Sequence, residues 1–250
     1  MSDKRLQVSS KPLYLQVEAT IKEMIDGVLY SPGDQFPSER ELSETLGVSR
    51  MTVRRAVDNM TKRGLLERRS TNGTFVARPQ VLRRVDKDFV QGLTQLLHNE
   101  GVDPGSKLLS FQIVPAPLKI AQKLDLRLGA SVIAVRRLRS ADGLPFCIET
   151  SYLPAELLPG LSAEDFANNA SFYDILRERY GVNMVKNDET LKLSYATPDE
   201  ASNLNLDPGD PVLLLRSIVL DQNDRRMEYV VSVNHPERVV FHSMSSLNSL

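Results

Sequence analysis

The sequence predicts two domains: a mainly helical unit ending in a β-hairpin over residues 1–78, and an α+β unit built on an antiparallel sheet over residues 88–250. Two observations support this division. Three helical patterns follow one another before residue 64, whereas strand-like runs joined by hairpin turns dominate the later part. Residues 79–87 show no clear period and are interpreted as a linker. A length of 250 residues suits one or two domains.

The helical unit is punctuated by clear start and stop signals. A first helix begins at Pro12 and presents an apolar stripe at spacings of three and four. Ser38 and Glu41 form a capping-box pattern that predicts the start of a second helix. A third helix is predicted over residues 50–63, after a turn of only residues 47–49. Two helices joined by so short a glycine-containing turn form a helix-turn-helix.

A β-hairpin is predicted directly after the third helix. Residues 65–69 and 74–77 are short strand-like runs, and Asn72-Gly73 between them is a strong hairpin signal. Three helices followed by such a hairpin form a winged helix-turn-helix, with the hairpin as its wing.

The second domain reads as strands with intervening helices. The predicted strands cover residues 108–114, 131–140, 145–152, 187–195, 212–221 and 226–234, and the predicted helices cover 89–99 and 171–180. Turns such as residues 141–144 imply antiparallel pairing. A weak internal repeat at an offset of 80 residues suggests two related halves, in which Glu149 and Glu228 would be equivalent; shared helix-turn-strand chemistry is the alternative explanation.

Composition excludes several classes of protein. The chain is 41% hydrophobic and 25% charged, as in ordinary globular proteins. A single cysteine, Cys147, excludes an internal disulfide framework and a multi-cysteine zinc site. No apolar run approaches the roughly 20 residues that span a bilayer, and residues 1–11 lack an apolar signal core. We therefore expect a soluble cytoplasmic protein with no membrane partner and no cofactor.

The near-neutral net charge of the chain is the sum of a positive N-terminal segment and a negative C-terminal segment. The formal net charge is −1, but residues 1–80 carry +3 and residues 81–250 carry −4. Residues 49–78, the third helix and the wing, hold +6. A charge run alone is more often a solvated face. On the surface that a winged helix presents to DNA, however, it favours binding to the phosphate backbone.

The first domain resembles the GntR family of bacterial transcription regulators. The matching segments are residues 12–16, 32–33, 36–42, 47–54, 64–66 and 73–76. The second domain resembles the UTRA effector-binding domain of the HutC-type branch. The matching pieces include residues 92–93, 104–105, 145–149, 152–154, 171–174 and 211–216. The resemblance implies a chorismate-lyase-like fold, a homodimer, and a small metabolite that alters operator binding.

Candidate DNA contacts lie on the third helix and the wing. Arg50 begins the helix whose N-terminal residues contact base edges, and arginine binds guanine bidentately. The full candidate set, partly implied by the resemblance, is Arg40, Arg50, Thr52, Arg54, Arg55, Asn72 and Gly73. The family often has Gly-Arg-Gly at the wing tip where this chain has Thr71-Asn72-Gly73. For each arginine the alternative is a surface ion pair with a neighbouring carboxylate.

Candidate effector contacts centre on two arginines. Arg137 and Arg139 are two residues apart on a predicted strand and share a face, which favours a phosphate or carboxylate. Glu149 lies roughly opposite Arg137 across the hairpin, so a cross-strand Arg–Glu pair is the alternative. Ser171 and Tyr173 offer hydroxyl groups near a helix start.

The resemblance extends this set to both parts of a ligand. In sugar-phosphate-sensing relatives, the positions matching Arg137, Arg139, Ser171 and Tyr173 hold the phosphate, and those matching Glu149 and Glu228 hold sugar polar groups. Asn234 lies on the same strand face as Glu228 and stands where relatives commonly carry tyrosine. We therefore expect an anionic metabolite, such as a sugar phosphate or an organic acid.

Three other interpretations compete. The lyase-like fold allows an enzyme, but the three histidines lack metal spacing and no nucleophile–base pair is visible, so we expect no catalytic or metal site. A second interpretation is a constitutive DNA-binding dimer without an effector. A third interpretation makes Cys147, which lies beside the arginines, a redox sensor. A structural role as a small, half-buried strand residue is the favoured interpretation of this cysteine. The favoured prediction is a homodimeric regulator, more often a repressor, that binds a pseudo-palindromic double-stranded operator.

Overall fold

The computed structural model describes residues 12–27, 29–31, 33–69, 73–77, 81–85, 90–166 and 171–243. The chain divides into two compact units, residues 1–79 and 80–250. The first unit contains α1 (Leu13–Asp26), β1 (Gln35–Phe36), α2 (Glu39–Leu46), α3 (Arg50–Lys62), β2 (Leu66–Arg69) and β3 (Gly73–Val76).

The predicted helix starts are formed by side-chain caps. Ser38 and Glu41 make the complete capping box of α2, and the helix ends at Gly47 in the left-handed conformation. The hydroxyl of Ser49 accepts a hydrogen bond from the backbone N–H of Thr52 and caps α3. These caps fix the tight turn between α2 and α3, so that the two form the predicted helix-turn-helix.

The three helices and the wing enclose one apolar core. Strands β2 and β3 pair antiparallel, and β1 adds to β3, giving the order β1-β3-β2. The stripe residues Val17 and Ile21 of α1 and Val53 and Val57 of α3 are fully buried in this core. The winged helix-turn-helix is confirmed.

The second unit holds the remaining elements. They are β4 (Val81–Arg84), α4 (Leu93–Asn99), β5 (Pro104–Pro115), α5 (Leu118–Leu124), β6 (Ser131–Ala141), β7 (Leu144–Pro154), α6 (Phe172–Tyr180), β8 (Met184–Tyr195), α7 (Pro198–Leu204), β9 (Pro211–Asp221), β10 (Arg226–Asn234) and β11 (Val239–His242). Two short 3-10 turns follow β7. The main sheet is wholly antiparallel, in the order β5-β6-β7-β10-β9-β8, which confirms the α+β prediction.

The internal repeat is visible in this strand order. The units β5-α5-β6-β7 and β8-α7-β9-β10 follow the same path, and the first three elements of each are offset by 80 residues. The sheet is therefore two related halves that meet where β7 pairs with β10. Helices α5 and α7 pack on one face of the sheet. The opposite face carries α6 and α4 and holds the candidate site.

One expected equivalence within the repeat was wrong. Arg137 lies opposite Glu149, whereas its counterpart Ser217 lies opposite Val230, so Glu149 corresponds to Val230 and not to Glu228. Both hairpins have an irregular register beside the turn, but the turn of the second is longer. The offset between the halves therefore increases from 80 residues at Arg137 and Ser217 to 81 at Glu149 and Val230, whereas equivalence with Glu228 would need 79. A two-residue shift preserves the face of a strand, so both glutamates still point to the same side.

The predicted linker differs from the structure at residues 81–84. These form β4, which pairs in parallel with β11 near the other end of the chain. Four residues are too few to show a period of two, and pairing across such a sequence separation leaves no local signal. Within the described residues, no helix is long and apolar enough to cross a membrane.

Candidate DNA-binding surface and ligand cavity

Helix α3 presents arginines to solvent. Arg50 and Arg54 are exposed, and neither forms an ion pair with any residue of the described ranges. Asp58 and Glu39, the carboxylates that could have neutralised them, instead bind Arg68 at 2.8 and 2.7 Å. Two cationic side chains of the recognition helix thus have their guanidinium donors available for DNA.

Three other predicted contacts, Arg55, Thr52 and Arg40, have partners within the first unit. Arg55 lies 3.9 Å from the ring centroid of Tyr14 and makes a cation–π contact. The hydroxyl of Thr52 is 2.8 Å from that of Ser49, so it takes part in the helix cap. Arg40 is 4.0 Å from Glu44 in an exposed pair, and such pairs contribute little.

A surface groove brings α2, α3 and the wing together. Of the predicted contacts, Arg40, Arg50 and Gly73 line it, and Arg68 and Arg69 of β2 add two more guanidinium groups. Gly73 has φ +99°, a conformation that favours glycine at the start of β3. Thr52, Arg54 and Arg55 lie outside the groove, and Asn72 lies outside the described residues.

The predicted effector contacts meet in one cavity of the second unit. The cavity lies on the sheet face that α4 and α6 cover. Its walls include six of the seven predicted residues, namely Arg137, Arg139, Glu149, Ser171, Tyr173 and Glu228. These residues belong to β6, β7, α6 and β10 and span 91 positions of sequence. They meet because alternate side chains of each strand point to the same face of the sheet and because β7 pairs with β10.

The two arginines are buried with a single carboxylate. Arg137 is 5% exposed and Arg139 is 2% exposed. Glu149 lies 3.6 Å from Arg137 and 3.4 Å from Arg139, so the cross-strand pair exists but is shared between two cations. Burial, followed by the charge of Arg137, lowers the pKa of the Arg139 guanidinium. Buried charges normally occur paired, and here two guanidinium groups form ion pairs with the same carboxylate.

Two polar atoms on the cavity wall have no partner among the described residues. They are Nε of Arg137 and the hydroxyl oxygen of Ser217. Arg137 also lies 5.4 Å from the ring centroid of Phe166, which fixes the guanidinium without satisfying its donors. Buried donors and acceptors are nearly always satisfied, so unpartnered atoms at a cavity indicate a missing ligand or solvent partner.

The other side of the cavity is acidic and hydroxylic. The hydroxyl of Tyr173 donates a 2.8 Å hydrogen bond to Glu228. Burial raises the pKa of the Glu228 carboxyl, and burial together with the charge of Glu228 raises the pKa of the Tyr173 hydroxyl. Ser171 caps α6 by accepting from the backbone N–H of Asp174 at 3.4 Å.

Asn234 is the one predicted effector contact that does not line the cavity. Its side chain is fully buried and donates to the carbonyl oxygens of Leu213 and Ser232 at 3.0 Å. Its Oδ1 accepts from Arg83 of β4 at 3.1 Å.

Sequence reasoning missed several cavity residues. They are Arg83, Arg84, Thr94, Asn187, Glu189 and Ser217. Ser217 on β9 lies 80 residues after Arg137 on β6, the offset of the internal repeat, so the repeat could have identified Ser217 as a cavity residue. Arg83 left no such signal because β4 read as a linker. No cluster of metal-ligating side chains occurs within the described part of the chain.

These features define a class of protein. A winged helix-turn-helix whose α3 carries exposed arginines without an ion pair to any described residue, followed by a domain with a buried cationic cavity, is a DNA-binding regulator that responds to a ligand.

Comparisons with known proteins agree with this class. Residues 13–76 match the model of the gntR family of bacterial regulatory proteins, and residues 99–239 match the UTRA domain. The chain belongs to the GntR family and carries a UTRA domain, which makes it a transcription regulator and not an enzyme.

Two relatives illustrate the similarity. The HTH-type transcriptional repressor NagR of Bacillus subtilis is 33% identical over 95% of this chain and 96% of its own length. The HTH-type transcriptional repressor PhnF of Mycolicibacterium smegmatis is 32% identical over 90% of this chain and 89% of its own. The crystal structure of PhnF from Mycobacterium smegmatis superposes with a TM-score of 0.64, 31% identity, and coverage of 93% of this chain and 100% of that one.

Proposed function

We propose that the protein is a repressor whose operator binding is relieved when a small anionic metabolite enters the cavity of the second unit. The observation that carries the proposal is the buried pair Arg137 and Arg139, which share the single carboxylate of Glu149. The relatives NagR and PhnF are transcriptional repressors, which supports repression as the sign of regulation.

Charge selects the ligand class. Two guanidinium groups facing one carboxylate leave an uncompensated positive charge in a buried site, and phosphate or carboxylate is the natural partner for a planar guanidinium. Burial raises the pKa of the Glu228 carboxyl. Glu228 accepts its hydrogen bond from Tyr173 and forms no ion pair with Arg137 or Arg139. A sugar phosphate or an organic acid fits this electrostatic environment.

The acidic side of the cavity suits the remainder of such a ligand. Glu228 and Tyr173 are already hydrogen-bonded to each other, while Asn187 and Glu189 of β8 reach the cavity from the edge of the sheet. Carboxylate and amide groups accept hydrogen bonds from hydroxyl or amino groups. The anion is therefore proposed to bind at β6, and the polar body of the ligand towards β8 and β10.

DNA recognition is proposed to run through the exposed face of α3 and the adjoining wing. Arg50 and Arg54 would contact base edges, whereas Arg40, Thr52, Arg55, Asn72 and Gly73 would position the protein on the backbone. A homodimer with twofold symmetry reads a pseudo-palindrome, because protein symmetry is mirrored in the operator. Such a protein acts in the cytoplasm, where the bacterial DNA lies.

The edge strand β8 supports the proposed homodimer. Leu191 is 43% exposed and Leu193 is 60% exposed, and Tyr195 beyond them is exposed as well. In the other half of the repeat, the position of Leu191 is taken by Phe111, which packs on Phe166. An apolar, uncovered edge strand is a template for association, and a second copy of the chain is the proposed occupant.

A ligand that regulates must bind two states of the dimer unequally. A constitutive DNA-binding dimer remains the competing function, and ligand binding separates the two. In a thermal-shift screen of phosphorylated sugars and organic acids, the proposal predicts that at least one compound stabilises the wild-type protein and not Arg137→Ala. Arg136→Ala is the matched control, because Arg136 lies on the opposite face and pairs with Asp199. Equal stabilisation of the wild type and Arg137→Ala would contradict the proposal.

A further inference from the structure

Arg83 reaches the ligand cavity from an unexpected element. It lies on β4, the short strand that begins two residues after the first unit ends. Its guanidinium lines the cavity, where Nη1 donates at 3.1 Å to both the hydroxyl of Ser232 and Oδ1 of Asn234. Its planar face lies 5.4 Å from the ring centroid of Phe241 on β11.

The partners of Arg83 are polar but uncharged. Within the described residues, its hydrogen-bond acceptors are an amide and a hydroxyl, and the ion pairs of the cavity arginines all go to Glu149. Arg83 also acts as a like charge on Arg139, where it adds to the effects of burial and Arg137 in lowering the pKa. Four arginines thus line the cavity, and among the described residues only Arg137 and Arg139 form ion pairs, both with Glu149.

We propose that Arg83 is a third anion-binding residue, which turns from Asn234 and Ser232 to the bound anion, so that occupancy of the cavity acts directly on β4. This inference rests on the proposed function and adds the route by which the site is linked to the rest of the chain. It also gives Asn234 an indirect role: the amide holds Arg83 while the cavity is empty of ligand.

Strand β4 is suited to such a role. It is four residues long and pairs only with β11 in a two-stranded sheet. Backbone hydrogen bonds at its ends join Val81 to Arg238 and Val85 to His242. An element with so few backbone bonds lies at the low-stability end of the fold, where a charge-assisted bond to a ligand changes the population of its states.

The first experiment measures anion binding by calorimetry with inorganic phosphate and glucose 6-phosphate as probes. Arg83→Gln is expected to weaken binding roughly tenfold or more, since a bond to a charged group is lost. Arg83→Lys is expected to recover part of the affinity. Asn234→Ala, which releases the Arg83 side chain, is expected to bind at least as tightly as the wild type. Far-UV circular dichroism of each variant checks that the fold is kept.

The outcomes separate this inference from the proposed function. If the wild type binds neither probe, the compound that gives the largest thermal shift in the screen replaces them. Undiminished binding in Arg137→Gln contradicts the proposed function, and the role of Arg83 falls with it. Loss of binding in Arg137→Gln with unchanged binding in Arg83→Gln keeps the anion site but overturns the role of Arg83. Equal losses in Arg83→Gln and Asn234→Ala also overturn it, because they show that the pair only maintains the cavity wall.

A second measurement follows the hydrogen exchange of the backbone amides of β4. Hydrogen exchange of the wild type is expected to slow at the backbone amides of residues 81–85 when phosphate saturates the cavity, and Arg83→Gln is expected to lose this protection. Unchanged exchange in the saturated wild type overturns the proposed action on β4.

Discussion

Arg50, Arg54 and Arg55 are the described arginines of the first unit that have no carboxylate partner among the described residues, and of these Arg55 lies against the ring of Tyr14. Arg68 occupies both Glu39 and Asp58, which leaves the recognition helix with unneutralised charge on its exposed face. Arg68 thus pairs with two carboxylates that Arg50 and Arg54 do not contact.

Arg54→Ala tests the base-reading role of α3. Loss of one bidentate arginine contact costs about 1–3 kcal/mol, so operator affinity is expected to fall roughly 5- to 100-fold while the unfolding midpoint stays unchanged. Fluorescence anisotropy with an operator selected from random DNA measures the affinity. Arg177→Ala, which removes an exposed arginine of the second unit, is the control for net charge. Equal affinities of wild type and Arg54→Ala would contradict the role.

Cys147 is expected to be inert in the folded protein. It is fully buried, and burial, followed by the charge of Glu149, raises the pKa of its thiol to about 12. The thiol of the unfolded chain ionises near pH ~8.5. Stability due to the neutral buried thiol is therefore complete below this pH and is lost as the pH rises through about 12.

Thiol labelling checks this expectation and the redox alternative together. Iodoacetamide at neutral pH is expected to leave the native protein unmodified and to label it fully in guanidinium chloride. Rapid labelling of the native protein would favour a redox sensor instead.

At the scale of elements, the sequence was most informative where local signals are strong. The caps Ser38 and Ser49, the glycine turn between α2 and α3, and the hairpin strands each follow from residues within a few positions of one another. The period of two on β6 placed Arg137 and Arg139 on one face without knowledge of the sheet.

Non-local pairing accounts for what could not be predicted. Strand β4 is defined only by β11, and Arg83 becomes a cavity residue only through that pairing. The repeat partner of Glu149 was wrong for a different reason, because the turn of the second hairpin is longer than that of the first and changes the offset between the halves. The β4–β11 pairing joins segments that are distant along the chain and leaves no pattern within a short window of sequence.

The cap of α3 gives a prediction at this scale. Ser49→Ala removes the acceptor for the N–H of Thr52 and the neighbour of its hydroxyl, and such caps contribute about 0.5–2 kcal/mol. The urea midpoint of the first unit is expected to fall, and operator affinity with it, because the first turn of α3 frays. Thr197→Ala removes the corresponding cap of α7 and is expected to leave operator affinity unchanged. Similar affinity losses in both variants would contradict a local effect.

At the scale of the whole molecule, the two units carry net charges of opposite sign. The basic surface of α3 and the wing belongs to a unit that is positive overall, whereas the cationic cavity is a local exception in a unit that is negative overall. An exposed basic patch favours a polyanion, while buried arginines favour a small anion that fits between them.

The proposed dimer is tested on the edge strand. Leu193→Glu places a charge on the exposed apolar face of β8 and is expected to shift the protein towards monomer in sedimentation velocity. Ile113→Glu is the matched control, since Ile113 is the repeat counterpart on β5 and is also exposed. A wild-type monomer at micromolar concentration would contradict the dimer, and dissociation by Ile113→Glu alone would move the interface to the other edge.

Control of DNA binding by an anion bound at Arg137 distinguishes the proposed regulator from a constitutive DNA-binding dimer. The most direct measurement is operator release, in which the protein–operator complex is titrated with the compound that gives the largest thermal shift. Wild type and Arg136→Ala are expected to release the operator over the same concentration range, and Arg137→Ala is expected to remain bound throughout. If Arg137→Ala releases the operator at the same compound concentration as the wild type, control of DNA binding through Arg137 is contradicted.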